Sequence, residues 1–157
     1  MFAIPQQEHR WLDQLVGQWK FEHDCQMPDG SKSSTHGAMT CRSLGGMWLI
    51  CESSGESPDG GVWSSIMTLG YDPVQSKYVG TFVGSMMANI WPYCGVLDAT
   101  GHRLPLDSQG PKLDGTGIGM YRDTIEIIDT DNWLFISEFQ SDDGNWMRFL
   151  SGKHTRS

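Results

Sequence analysis

The strongest constraint in this chain is the unbroken alternation from Gly17 to Met27, where Trp19, Phe21, His23, Cys25 and Met27 interleave with Lys20, Glu22, Asp24 and Gln26. Successive side chains of a strand point to opposite faces, so a period of two with apolar residues on one parity means a strand with one buried face. The same grammar repeats downstream. Pro28-Asp29-Gly30 makes a turn, residues 31–43 read as a second strand, and Leu44-Gly45-Gly46 reverses the chain. Further strands are predicted over 47–55, 62–71, 77–85 and 90–97, with Pro58-Asp59-Gly60-Gly61 and Asp72-Pro73 as turns between them. Pro92 lacks a ladder donor and predicts an edge, a bulge or an outward-facing position there. Next come a strand near 103–108, a Gly-rich loop over 110–119, and strands over 120–128, 133–140 and 146–155.

Residues 5–16 differ in period. Trp11, Leu12, Leu15 and Val16 recur at helical spacing behind Pro5, and Gly17 ends the segment, which predicts a short amphipathic helix. The whole chain, 1–157, reads as one domain: the helix, then a barrel over about 17–155. About ten strands joined by short turns would leave long sticky edges in an open sheet, and closing the sheet removes them. The expected fold is all-β, an up-and-down antiparallel β-barrel, with a two-sheet Greek-key sandwich as the competitor.

A formal net charge of −8, with the acids dispersed, provides no positive field for a phosphate backbone, so nucleic acid is not an expected partner. No stretch approaches the roughly 18 apolar residues of a spanning helix, and the N-terminus has no signal-peptide pattern, which makes the cytoplasm the expected location. Cys25, Cys41, Cys51 and Cys94 form no C-x-x-C pair, so they read as buried or half-buried thiols with no metal site expected.

Several segments together resemble a known group. Leu15-Val16-Gly17-Gln18-Trp19 is similar to the opening of the calycin superfamily, which includes lipocalins and fatty-acid-binding proteins. With Arg42 to Leu49, Leu69-Gly70-Tyr71-Asp72-Pro73, Tyr78 to Phe82, Trp91 to Gly95 and Tyr121-Arg122-Asp123, the chain resembles an uncharacterised, mainly bacterial domain-of-unknown-function family of calycin-like barrels. The resemblance runs from about His9 to Arg156. It implies a barrel with an internal cavity and brings no ligand or activity with it. One departure is Cys94, where the family pattern carries an acidic residue. A second relative is nitrobindin, a ten-stranded barrel that holds haem through a His on its last strand. His154 lies several residues too late for that role and Leu150 takes its place, so no cofactor is expected, haem included.

Among single residues, His23 shares the apolar parity of Trp19 and is a candidate ligand contact, with a hydrogen-bonded core histidine as the plainer alternative. Trp19 with Arg156, or with Arg148, fits a structural cation–π closure of one barrel end. Trp91, Tyr93 and Tyr121 provide flat amphipathic walls. Arg122 alternates with Tyr121 and Asp123, so only one of the two sets faces inward: Arg122 inside would bind an anion, and outside it would pair with Glu126 or Asp123. Met86 and Met87 read as ordinary packing, with a cavity mouth as their alternative.

The glycine-rich 110–119 lacks the Gly-Lys-Ser/Thr ending of a phosphate cradle and reads as a lid or hairpin loop. No Gly-x-Ser-x-Gly elbow marks a hydrolase, and carboxylates such as Glu52 with Glu126 or Glu138 would pair across the interior only if their strand parity faces in. The leading expectation is non-catalytic binding of a small hydrophobic or amphipathic molecule inside the barrel. Two alternatives stay open: an enzyme using the same cavity, and a packed barrel that forms a homodimer through an edge near Pro92 or through the helix.

Overall fold

The computed structural model describes residues 1–157. Ten antiparallel strands close into a barrel in which each is paired with its neighbours in sequence and the last returns to the first. They are β1 (Gly17–Gln26), β2 (Lys32–Leu44), β3 (Trp48–Glu56), β4 (Val62–Asp72), β5 (Lys77–Gly84), β6 (Trp91–Gly95), β7 (Arg103–Pro111), β8 (Ile118–Asp129), β9 (Asn132–Gln140) and β10 (Trp146–Arg156). Closure confirms the expected barrel and rules out the sandwich. Of the three alternatives at Pro92, the outward-facing one holds: β6 pairs with β5 along its length and meets β7 at Cys94, so it is no free edge, and Pro92 is exposed.

The dispersed acids have a structural use. In six of the turns an aspartate carboxylate accepts the backbone N–H two residues on: Asp29 from Ser31, Asp59 from Gly61, Asp72 from Val74, Asp114 from Thr116, Asp129 from Asp131 and Asp143 from Asn145. Each side chain mimics a backbone turn and fixes a tight reversal, which sets the up-and-down order.

Two expectations shift in extent. The helix over 5–16 is a single α-helical turn and a half, α1 (Gln7–Leu12), continued by a 3-10 turn over Asp13–Leu15. The loop over 110–119 shrinks, because Gly110 pairs with Gly119 and Pro111 with Ile118 as β7 and β8 extend into it. Gly110 is there for space: a Cβ would sit 2.2 Å from the Trp91 ring.

One half of the barrel is packed solid. Leu12 and Leu15 enter its mouth and meet Trp19, Cys41, Leu49, Leu69, Tyr78, Leu104, Ile125 and Trp133 in one core. The helix is tied down by Tyr78 Oη donating to the Glu8 carbonyl at 2.9 Å and by Trp11 Nε1 donating to the Gly101 carbonyl at 2.8 Å. Arg156 lies over the Trp19 ring, 4.2 Å from its centroid. It donates to the carbonyls of Val16, Gln14 and Thr130 as well. Gly17 makes this possible, since its φ is +137° and a Cβ would stand 2.4 Å from Arg156 Nη1.

The weakest seam lies between β6 and β7, which share the single register pair Cys94 with Asp107. A Cβ on Gly95 would sit 1.9 Å from the Pro105 carbonyl oxygen, a backbone atom that cannot rotate away. Gly95→Ala is therefore expected to destabilise the protein by about 1–3 kcal/mol. Thermal unfolding followed by circular dichroism would show a lowered Tm, and an unchanged Tm would contradict this account of the seam.

Candidate functional site

The other half of the barrel is hollow. Inward positions there carry small residues, Thr35 on β2, Ser53 on β3, Ser65 on β4 and Ser137 on β9, where the packed half has Cys41, Leu49, Leu69 and Trp133. A cavity of about 440 Å³ results, within the usual range for small-molecule sites. Its walls are Trp63, Phe82, Trp91, Tyr121, Phe135 and Phe149, and Met86, Met87, Pro111 and Leu113 rim the mouth. At Phe149 the β9–β10 register slips by one residue, a bulge that brings Phe149 and Leu150 together into the wall. A second hollow of about 540 Å³ lies by the ends of β1, β2 and β10, but it is open and most of its lining residues are polar, Asp24, Lys32 and Arg148 among them.

The ionisable groups of the cavity come from three strands, β1, β8 and β10. His23 on β1 stacks on Phe21 with ring centroids 4.3 Å apart. Its room comes from Gly152, opposite it on β10, where a Cβ would meet the imidazole at 2.4 Å. His154 on β10 stacks on Trp133 at 3.7 Å and stands 5.4 Å from the His23 ring. His23 Nε2 and both ring nitrogens of His154 have no hydrogen-bond partner in the protein. Burial pushes the His23 pKa down to about 4, and burial with the neighbouring His23 takes His154 to about 3. Both are neutral at pH 7.

Asp123 on β8 is the third group. Its carboxylate accepts a hydrogen bond from Tyr93 Oη, and the Ser137 hydroxyl, opposite it across the β8–β9 pair, also favours its charged form. Its residual exposure is to the cavity, and removal from bulk water raises its pKa despite these two donors.

The sequence candidates therefore divide. His23, Trp91 and Tyr121 line the cavity, and Tyr93 stands behind it as the partner of Asp123. Trp91 and Tyr121 meet edge to face at 4.8 Å, and Tyr121 Oη donates to the Pro111 carbonyl at 2.5 Å. Trp19 and Arg156 close the packed end, away from the cavity. Arg122 is outside it: the guanidinium pairs with Asp107 at 2.7 Å and lies 4.1 Å from the Trp146 ring centroid. The reason is register, since Tyr121 and Asp123 take the inward parity and leave Arg122 the outer one. The carboxylate pairs fail likewise, with Glu52 exposed, Glu126 bound to Arg103 on the outside at 3.2 Å, and Glu138 opposite the outward Arg122.

Met86 and Met87, expected as ordinary packing, are at the mouth. His154 and Asp123 are the residues that sequence reasoning passed over. The spacing of His154 fits no haem-ligand position, yet it shares the inward parity of β10 with Leu150 and Gly152.

Comparison with known proteins fits this architecture. The model of the protein family described as "Protein of unknown function (DUF1579)" matches residues 4–156. The chain belongs to that family. No curated protein matches it. Among solved structures it is similar to Rv2717c from M. tuberculosis, at 13% identity and a TM-score of 0.72 over 98% of this chain and 99% of that one. It also resembles the S-type phycobiliprotein lyase CPES from Guillardia theta, at 12% identity and a TM-score of 0.63 over 98% of each chain. The barrel EF1p2_mFAP2b, solved bound to DFHBI, follows at 14% identity and 0.52 over 96% and 99%. At these identities the DUF1579 chain shares a fold with them. No helix in it is long and apolar enough to cross a membrane.

Proposed function

We propose that this DUF1579 barrel binds a small, partly apolar molecule in its hollow half without transforming it. The observation that carries the reading is the 440 Å³ cavity itself, whose apolar walls enclose a few unpaired polar atoms on His23 and His154. Natural cores fill such space or satisfy such atoms. The neighbours support it at the level of fold: one is named a phycobiliprotein lyase and another was solved with DFHBI. Four free thiols suit a reducing compartment such as the cytoplasm.

Native mass spectrometry of freshly purified protein should show a retained small molecule, and tryptophan fluorescence should be quenched by members of a panel spanning fatty acids, aromatic amines and haem. Ser65→Phe fills the cavity from β4 and is expected to abolish that binding while leaving Tm within a few degrees. Neither a retained mass nor quenching would sink the reading.

A second reading, an enzyme acting on a small hydrophobic substrate, is favoured by one observation. Four titratable groups with displaced pKa values, His23, His154, Asp123 and Tyr121, face the same space. No lining serine or cysteine hydrogen-bonds to either histidine, so the activated nucleophile of a hydrolase is missing.

A further inference from the structure

No lysine or arginine is among the residues lining the cavity. With both histidines neutral and Tyr121 held protonated, Asp123 is the one lining group that can carry charge near neutral pH. Its carboxylate offers about four lone-pair sites, and the protein supplies Tyr93 Oη and the Ser137 hydroxyl. Neither donor is a cation. The neighbouring base on the strand, Arg122, is turned outward and occupied by Asp107 and Trp146. An acid removed from water with hydrogen bonds but no counter-ion is incomplete, because a buried charge is tolerated only when paired.

The walls complement the same charge. Aromatic faces are the negative side of a quadrupole and attract cations, and Trp63, Phe82, Trp91 and Phe135 surround the space. The net charge of −8 draws cations toward the protein as a whole. A carboxylate ligand of the fatty-acid kind would meet no positive group inside and would face Asp123.

Resting on the binding reading above, we propose that the ligand is a small hydrophobic amine, bound as its ammonium ion against Asp123 with its apolar body among the aromatic walls. The inference differs from the sequence expectation of Arg122 as an anion anchor, since the inward parity of β8 puts an acid where the base was considered.

Three probes with one ring system test it: tryptamine as the cation, 3-ethylindole as the neutral analogue and indole-3-acetate as the anion, each titrated calorimetrically at pH 7. Tryptamine should bind at least about tenfold more tightly than 3-ethylindole, as expected for a charge-assisted hydrogen bond, with indole-3-acetate weakest. Asp123→Asn should bring tryptamine down to the level of 3-ethylindole and leave 3-ethylindole unchanged. The ordering of the probes is read on the unaltered protein, so the test stands even where the variant fails to fold. Equal or tighter binding of 3-ethylindole or indole-3-acetate would overturn the amine and leave the binding cavity intact. No binding by any probe would overturn the amine, and the binding reading would fall with it only if native mass spectrometry also showed no retained molecule.

Discussion

Trp19→Ala is expected to lower stability by about 3–5 kcal/mol, the range for truncating a large buried aromatic side chain. Trp19 is 1% exposed and sits where the helix, β1 and β10 meet. Its ring abuts Trp133 edge to face at 6.0 Å, its Nε1 donates to the Leu15 carbonyl at 2.9 Å, and Arg156 covers its face. Truncation would leave a void, an unsatisfied carbonyl and a guanidinium without its platform. Trp19→Phe retains most of the apolar contact and should cost visibly less. Urea unfolding would show the midpoint falling at constant m, and a loss below about 1 kcal/mol would contradict the closure role. Ligand binding by the folded fraction should persist, because Trp19 belongs to the packed half.

Acid is expected to destabilise the protein well before its carboxylates protonate. An unfolded histidine takes up a proton near pH 6.5, whereas folded His23 waits until about 4 and His154 until about 3. Between these values the unfolded chain binds more protons than the folded one, so stability is full above about pH 6.5 and is lost as pH falls through the folded values. For His23 the loss is on the order of 3 kcal/mol. Asp24 opposes the shift of His23, and the proximity of His23 adds to that of His154. Asp123 acts in the opposite sense, because its folded pKa is raised and protonation relieves its burial. The turn aspartates, held below the usual carboxylate range by their hydrogen bonds, extend the loss to still lower pH. Unfolding free energy measured by urea titration from pH 8 to 4 should fall steadily below 6.5. His23→Leu should flatten that slope by about one proton, and a flat profile in the unaltered protein would refute the neutral histidine pair.

Much of the strand pattern was legible because its causes are local. Alternation on β1 placed Trp19, Phe21 and His23 on one face, and Asp-Gly reversals marked the hairpins within a residue or two of where they occur. Glycine was misread where it supplies space rather than a bend, as at Gly110 beneath Trp91. The cavity was legible in principle. Small inward residues at Thr35, Ser53, Ser65 and Ser137 share one half of the barrel, but seeing this requires the register that aligns them.

Arg122 and Asp123 show where reading residue by residue stops. Alternation says that neighbours face opposite ways and is silent on which way is in, since both parities of β8 mix apolar and charged residues. The direction comes from pairing with β7 and β9, which aligns Asp123 with Leu106 and Ser137 and leaves Arg122 opposite Asp107 and Glu138. The amino-acid order alone thus specified a closed meander of ten strands, through turn chemistry and side-chain period that act over a few residues. Which half stayed hollow, and that an acid rather than a base faces it, emerged only on closure, because these depend on contacts between strands distant in the chain.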